Sequence, residues 1–167
     1  GRMPDLSEAA QAAFVARLTD LVRRLDELAP SDPAERLEVA IVRAFAEGAI
    51  GRAGARMVEV GVSDYFSSPT GSLLSFVPQL VLRSPEQAEG YLDRLRAVPA
   101  FLDTAATRAV TGTSRGRTSV AHLVQRTIDQ IDRYLGDPEH DPFLVPEPPS
   151  DWADAATFTA ERLRVLA

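Results

Sequence analysis

The sequence predicts an all-α protein, an irregular bundle of about five to six helices with one long proline-kinked member. Three observations carry this. Apolar residues recur at spacings of three and four through most of the 167 residues. A helix-capping residue followed by proline opens a segment twice, at Asp32-Pro33 and Ser84-Pro85. Only one short stretch alternates as a strand would.

The first helix is expected over residues 7–29, where Phe14, Leu18, Leu21, Val22, Leu25 and Leu28 share a face. Its stop is Ala29-Pro30, because the residue before a proline is driven out of the α region. Asp32-Pro33-Ala34-Glu35 starts the second: Asp32 caps, Pro33 suits the first helical position, and Glu35 closes a capping box. Leu37, Ile41, Ala44 and Phe45 are expected as its buried stripe. Gly48, Gly51 and Gly54 then loosen the pattern, at about 1 kcal/mol each relative to alanine.

Residues 57–71 read as a short irregular segment. Val58, Val60 and Val62 alternate, and Ser67-Ser68-Pro69-Thr70-Gly71 has the composition of a turn. Residues 72–82 are apolar on most sides, predicting a short buried helix bent at Pro78. Ser84-Pro85-Glu86-Gln87 opens a long helix to about residue 110, kinked at Pro99. A link over residues 111–118 leads to a helix capped by Ser119, carrying Val120, Leu123, Val124, Ile128, Ile131 and Leu135, and ended by Gly136 in a left-handed conformation. Five prolines between Asp137 and Pro149 predict an extended connector. A last helix is expected from Ser150 through Trp152, Phe158, Leu163 and Leu166 to Ala167. Its pattern stops without a C-cap, which reads as a fragment, so residues 1–167 are taken as a single helical region, the N-terminal part of a larger all-α protein.

Composition narrows function. Apolar residues make up 45% and charged residues 25%, which is globular usage and not that of a disordered chain. The net charge of −6 argues against a nucleic-acid partner, since phosphate binding needs a basic surface. All 18 basic residues are arginine, a pattern assigned to GC-rich coding rather than to guanidinium chemistry. Seven Arg face four acids over residues 83–126, and three Arg face nine acids over residues 129–167. Two helical regions with complementary solvated faces are the expected result. No apolar run is long enough for a membrane span, and no targeting segment is visible. The lack of cysteine leans toward the cytoplasm.

The chemistry-bearing motifs are weak. Gly112-Thr113-Ser114-Arg115-Gly116 matches the nucleophile-elbow pattern, but that needs a strand before the serine, and a helix precedes it. His122 and His140 are not paired on one helical face as zinc hydrolysis requires. Glu139-His140-Asp141 reads as solvated connector. The Gly48, Gly51 and Gly54 spacing is not the dinucleotide fingerprint. Asp129, Asp132 and Arg133 read as an exposed ion-pair set. Arg94, Arg96, Arg108, Arg115 and Arg117 read as a solvated face meeting the acidic C-terminal part, with anion binding as the alternative. The chain is therefore expected to carry no catalytic, cofactor-binding or metal-binding residue of its own.

One resemblance extends over most of the chain. The run from Ser84 to Asp103, with Tyr91-Leu92, Arg94-Leu95, Pro99 and Phe101-Leu102-Asp103, resembles the bacterial family called domain of unknown function 885. So do the Gly112 to Gly116 link, Gln125 to Asp132, Asp137-Pro138 with Pro142-Phe143, the opening Met3 to Ser7, and the apolar segment from Leu73 to Leu82. The resemblance implies a longer all-α protein similar to helical zinc metallopeptidases, with zinc held by a His-Glu helix downstream of this region. No residue here matches that motif. What it implies for this chain is a non-catalytic scaffolding and cleft-wall segment of a zinc metallopeptidase-like hydrolase, with a peptide as the parent's substrate. Ser67, Ser68, Gly71 and Ser72 are candidates for the cleft lining by position. The alternative is a stand-alone helical interaction module, a dimer without enzymatic activity. Expected partners are the remainder of the parent protein or a second copy.

Overall fold

A computed structural model describes residues 2–150 and 152–166. It contains six α-helices among the described residues: α1 (Glu8–Asp26), α2 (Pro33–Gly54), α3 (Pro69–Phe76), α4 (Pro85–Ser114), α5 (Ala121–Leu135) and α6 (Ala155–Leu166). No strand occurs among them, so the all-α prediction is correct. Short 3-10 turns occur at Met57–Glu59, Val77–Gln79, Pro138–His140 and Pro142–Leu144. The chain divides into two compact units, Leu6–Met57 on the one hand and Gly1–Asp5 with Val58–Ala167 on the other.

The smaller unit is the antiparallel pair α1 and α2, which pack on each other. Ser7 caps α1 by accepting from the Ala10 amide at 3.1 Å. Asp32 caps α2, its Oδ1 accepting from the Ala34 and Glu35 amides at 2.7 and 2.9 Å. Glu35 closes the box one residue earlier than expected, on the amide of Ser31 at 2.8 Å. Gln11 donates to the carbonyl of Ala53 at 2.7 Å and Arg43 pairs with Asp26 at 2.6 Å, which fixes the register of the two helices. The expected buried stripe of α2 is not buried. Leu37, Ile41 and Phe45 are 61%, 47% and 74% exposed, and Ala46 is the buried residue. Helical periodicity finds an apolar face, but not whether anything covers it.

In the larger unit α4 is the organising element. Ser84 caps it, and Gln87 reaches back to accept from the Arg83 amide at 2.8 Å. Proline at position 99 leaves one carbonyl without its helical donor, and the helix bends there without breaking. Tyr91, Leu92, Leu95 and Phe101 form its buried face, and α6 packs against it. Phe158 of α6 is 1% exposed, with ring centroids 6.4 Å from Tyr91 and 6.1 Å from Trp152. Burying one such side chain contributes about 1.5–3 kcal/mol. The Tyr91 hydroxyl donates to the Phe143 carbonyl at 2.8 Å, tying the connector to the core. Burial pushes that phenol well above its usual range.

Several boundaries differ from expectation for local reasons. α3 begins at Pro69, ahead of residue 72, because Ser68 caps it, and it gives way to a 3-10 turn at Pro78. Phe76 and Val81 of that segment face outward. α4 continues to Ser114, so Gly112 to Ser114 is helix and the link is shorter than predicted. Val120, not Ser119, stands at the N-cap of α5, without a side-chain bond. Gly136 ends α5 at φ −78°, a right-handed conformation, while Gly116 after α4 is the glycine with φ +75°. The proline-rich connector is folded into two 3-10 turns. The expectation of a helix from Ser150 to the terminus takes in Asp151 and Ala167, which lie outside the described residues; α6 itself starts at Ala155.

Charge complementarity between α4 and α6 is real. Arg96 pairs with Glu161 at 2.7 Å, and Arg164 joins from the next turn at 2.6 Å. Hydrogen bonds from Arg164 and Arg96 hold the Glu161 carboxyl down at about 2, against a usual 4.5. A depressed folded pKa contributes stability above the unfolded value and loses it as the folded value is approached. The melting-temperature gap between wild type and Glu161→Gln should therefore be full above pH 4.5 and close as the pH falls toward 2, as thermal melts across that range would show.

Candidate functional site

Two features of the larger unit stand out: an apolar groove and a buried charge cluster beside it in sequence. The groove has a volume of about 360 Å³. One wall is α4, through Leu102, Ala105, Ala106 and Ala109; the other is α5, through Val124, Thr127, Ile128 and Ile131. The small alanines leave the space that leucines at the same positions would fill. This wall carries Val124, Ile128 and Ile131 of the apolar stripe read for α5. It is the side of an open groove, with Ile128 45% exposed. Thr127, one of its two polar residues, donates its hydroxyl to the Leu123 carbonyl of its own helix at 2.9 Å.

Val58, Val62, Pro69 and Thr70 complete the lining of the groove. The last two belong to the turn that holds the predicted cleft residues. Ser67 is exposed, while Ser68 is 1% exposed and structural. The Ser68 hydroxyl accepts from the Gly71 amide at 3.0 Å and donates into the carbonyls of Ser63 and Tyr65. Gly71 is required by close approach: a Cβ there would stand 2.0 Å from the Tyr65 carbonyl oxygen. The Ser72 hydroxyl donates to the Pro69 carbonyl at 2.7 Å. This network holds Pro69 and Thr70 against the groove. Arg126 reaches across from α5 to Asp64 at 2.6 Å and braces the same loop.

Sequence reasoning missed Glu59. It stands at the end of a 3-10 turn in the segment read as irregular, and its side chain is fully buried. Arg108 approaches at 3.3 Å, Arg117 at 3.2 Å and Arg115 at 3.7 Å. Arg108 is 3% exposed, so it is not part of the solvated face expected for this arginine group. Gly112 makes the approach feasible, since a Cβ there would lie 2.7 Å from the Cβ of Glu59. The cluster joins the Met57–Glu59 turn to the last two turns of α4. Its partners are 49 residues apart in sequence, beyond the reach of any local signal.

The remaining motifs are placed without ambiguity. Ser114 of the elbow-like segment is the last residue of α4, and its hydroxyl donates to the Thr111 carbonyl at 2.8 Å. His122 lies exposed on the first turn of α5. His140 sits in the connector with its Nδ1 2.8 Å from Asp137, which raises its pKa. Asp141 accepts from the Tyr134 hydroxyl at 3.2 Å and from the Phe143 amide at 2.8 Å. Among the described residues no group of three His, Cys, Asp or Glu side chains is placed to hold a metal ion. No helix of the described residues is long and apolar enough to cross a membrane.

Neither a curated protein nor a solved structure is similar to the chain at significance. The family model described as bacterial protein of unknown function, DUF885, matches residues 1–166, and with that match over essentially its whole length the chain belongs to this family.

Proposed function

We propose that the chain is a non-catalytic scaffold and cleft wall of a larger, zinc metallopeptidase-like hydrolase, and that its apolar groove receives an apolar side chain of a peptide substrate. The groove itself carries the reading. A concave space of about 360 Å³ with nearly all-aliphatic walls fits the size and polarity of small-ligand sites, yet offers no nucleophile or acid–base pair. Pro69 and Thr70 line it, and in this reading their neighbours Ser67, Ser68, Gly71 and Ser72 support that wall, with the hydroxyls of Ser68 and Ser72 bonded within the segment. The described residues do not fit a zinc site. In this reading zinc belongs to a His-Glu helix of the longer parent, and no step is assigned to it here.

The purified chain, given zinc and a panel of peptides, should show no turnover. In the parent protein, Ala106→Phe should fill the groove and raise KM for peptides with large apolar side chains about tenfold, the scale of one or two lost methylene contacts, with kcat little changed. Turnover by the isolated chain, or an unchanged KM in the filled variant, would overturn the reading.

One observation favours a second reading, that of an interaction module. Leu37, Ile41 and Phe45 follow one another at four-residue steps on α2 and are all exposed, which is an uncovered apolar stripe of the kind that marks protein contacts. A second copy of the chain would cover it. Sedimentation velocity from micromolar to hundreds of micromolar concentration should then show a dimer that Phe45→Ser abolishes; a monomer throughout removes this reading and leaves the first untouched.

A further inference from the structure

A second pocket of about 290 Å³ lies between the C-terminal half of α5 and the connector that follows it. It shares no lining residue with the apolar groove and uses another face of α5. Its chemistry is mixed where the groove's is uniform. Gln130, Arg133, Tyr134, Asp137 and His140 line it, with Leu74 and Pro142 as the apolar part.

The hydrogen bonds within the protein leave a definite set of atoms for a ligand. The Arg133 Nε is bonded to the Asp129 carbonyl at 3.1 Å, leaving the two terminal nitrogens of the guanidinium. His140 uses Nδ1 on Asp137 Oδ1 at 2.8 Å, leaving its Nε2 and the second carboxylate oxygen. The Tyr134 hydroxyl is engaged by Asp141, whose other oxygen takes the Phe143 amide. The amide oxygen of Gln130 is buried without a hydrogen-bond partner. With essentially no accessible surface, that oxygen is out of reach of a ligand in the pocket, so the acceptor left for one is the carboxylate of Asp137. The pocket thus offers two cationic donors on one hand and a carboxylate oxygen on the other. A ligand with a single charge would leave one of the two sets opposite a group of no use to it.

We propose that this pocket binds a small zwitterion, a free α-amino acid, with its carboxylate on Arg133 and His140, its ammonium on Asp137, and its side chain against Leu74 and Pro142. A guanidinium whose fork is open suits a carboxylate. The volume matches a ligand of that size, at the lower edge of the roughly 300–1,000 Å³ typical of small-molecule sites. The Asp137 hydrogen bond keeps the His140 ring protonated to higher pH than usual, which favours the same arrangement. This assignment does not rest on the cleft-wall reading.

Calorimetric titration of the purified chain with free leucine, methionine and proline tests it, alongside N-acetyl and carboxamide forms of each. Saturable binding of at least one free amino acid is expected, weakened at least tenfold by blocking either end. Arg133→Gln and Asp137→Asn should each weaken binding at least tenfold, and the groove variant Ala106→Phe should leave it unchanged. Should Arg133→Gln fail to fold by circular dichroism, His140→Ala, whose side chain is 80% exposed, supplies the same test. Equal binding of N-acetyl and free forms, no binding at millimolar ligand, or indifference to these substitutions would overturn the proposal.

Discussion

Glu59→Gln is expected to be the most damaging conservative substitution in the chain, lowering stability by about 3–5 kcal/mol, the usual cost of breaking a buried charge pair. Glutamine has the same shape, so packing is preserved and only the negative charge is lost. That charge is the one on which Arg108, Arg115 and Arg117 converge. Arg108 is buried as deeply as Glu59 and cannot turn to solvent, whereas Arg115 and Arg117 are partly exposed and can. Each kcal/mol corresponds to about 2–4 °C at this size, so thermal melts should show a loss on the order of 10 °C. Joint replacement by Glu59→Met and Arg108→Met should recover much of it, because a desolvated pair contributes little net over apolar packing. A Glu59→Gln variant that melts within 2 °C or so of wild type would mean the cluster is solvated.

Gly71→Ala has the next largest expected effect, and its sign separates two arguments. Gly71 lies in the first turn of α3, where helix propensity alone would make alanine stabilising by up to about 1 kcal/mol. The close approach says the opposite. The new Cβ would stand 2.0 Å from the Tyr65 oxygen and 2.6 Å from its carbonyl carbon, and both are backbone atoms that no rotamer change can clear. The turn must open, with it the Ser68 cap at 3.0 Å. Overpacking costs typically 1–3 kcal/mol and loss of a cap about 1 more, so after the propensity gain a net loss of about 1–3 kcal/mol is expected in denaturant titration. An alanine variant at or above wild-type stability would show that the rim of the groove is not held as described.

Local signals were legible in the sequence, and distant ones were not. Asp32-Pro33 and Ser84-Pro85 start helices where expected, because a cap and a first-turn proline act on the adjacent backbone. The kink at Pro99 follows from one missing amide. By contrast, Leu37, Ile41 and Phe45 have the spacing of a core stripe and are exposed, and Ile128 flanks an open groove. Periodicity gives the direction in which a side chain points but not what meets it there. Ser119 failed as a cap because the chain turns one residue later, at Val120. Of the four cleft candidates, Ser68, Gly71 and Ser72 bond or pack within their own segment, and it is their neighbours Pro69 and Thr70 that line the groove. Glu59 carried no sequence signal, since a glutamate among valines looks like any surface acid until α4 is folded against it.

The place of Trp152 has an optical consequence. It is the chain's single tryptophan, and its ring lies 6.1 Å from Phe158 in the larger unit. Intrinsic fluorescence at tryptophan wavelengths therefore reports on that unit alone, while far-ultraviolet circular dichroism counts the helices of both. Two curves recorded on one sample become a spectroscopic ruler for cooperativity: superimposable transitions mean that the α1–α2 pair melts with its neighbour, and displaced ones mean that it comes apart on its own.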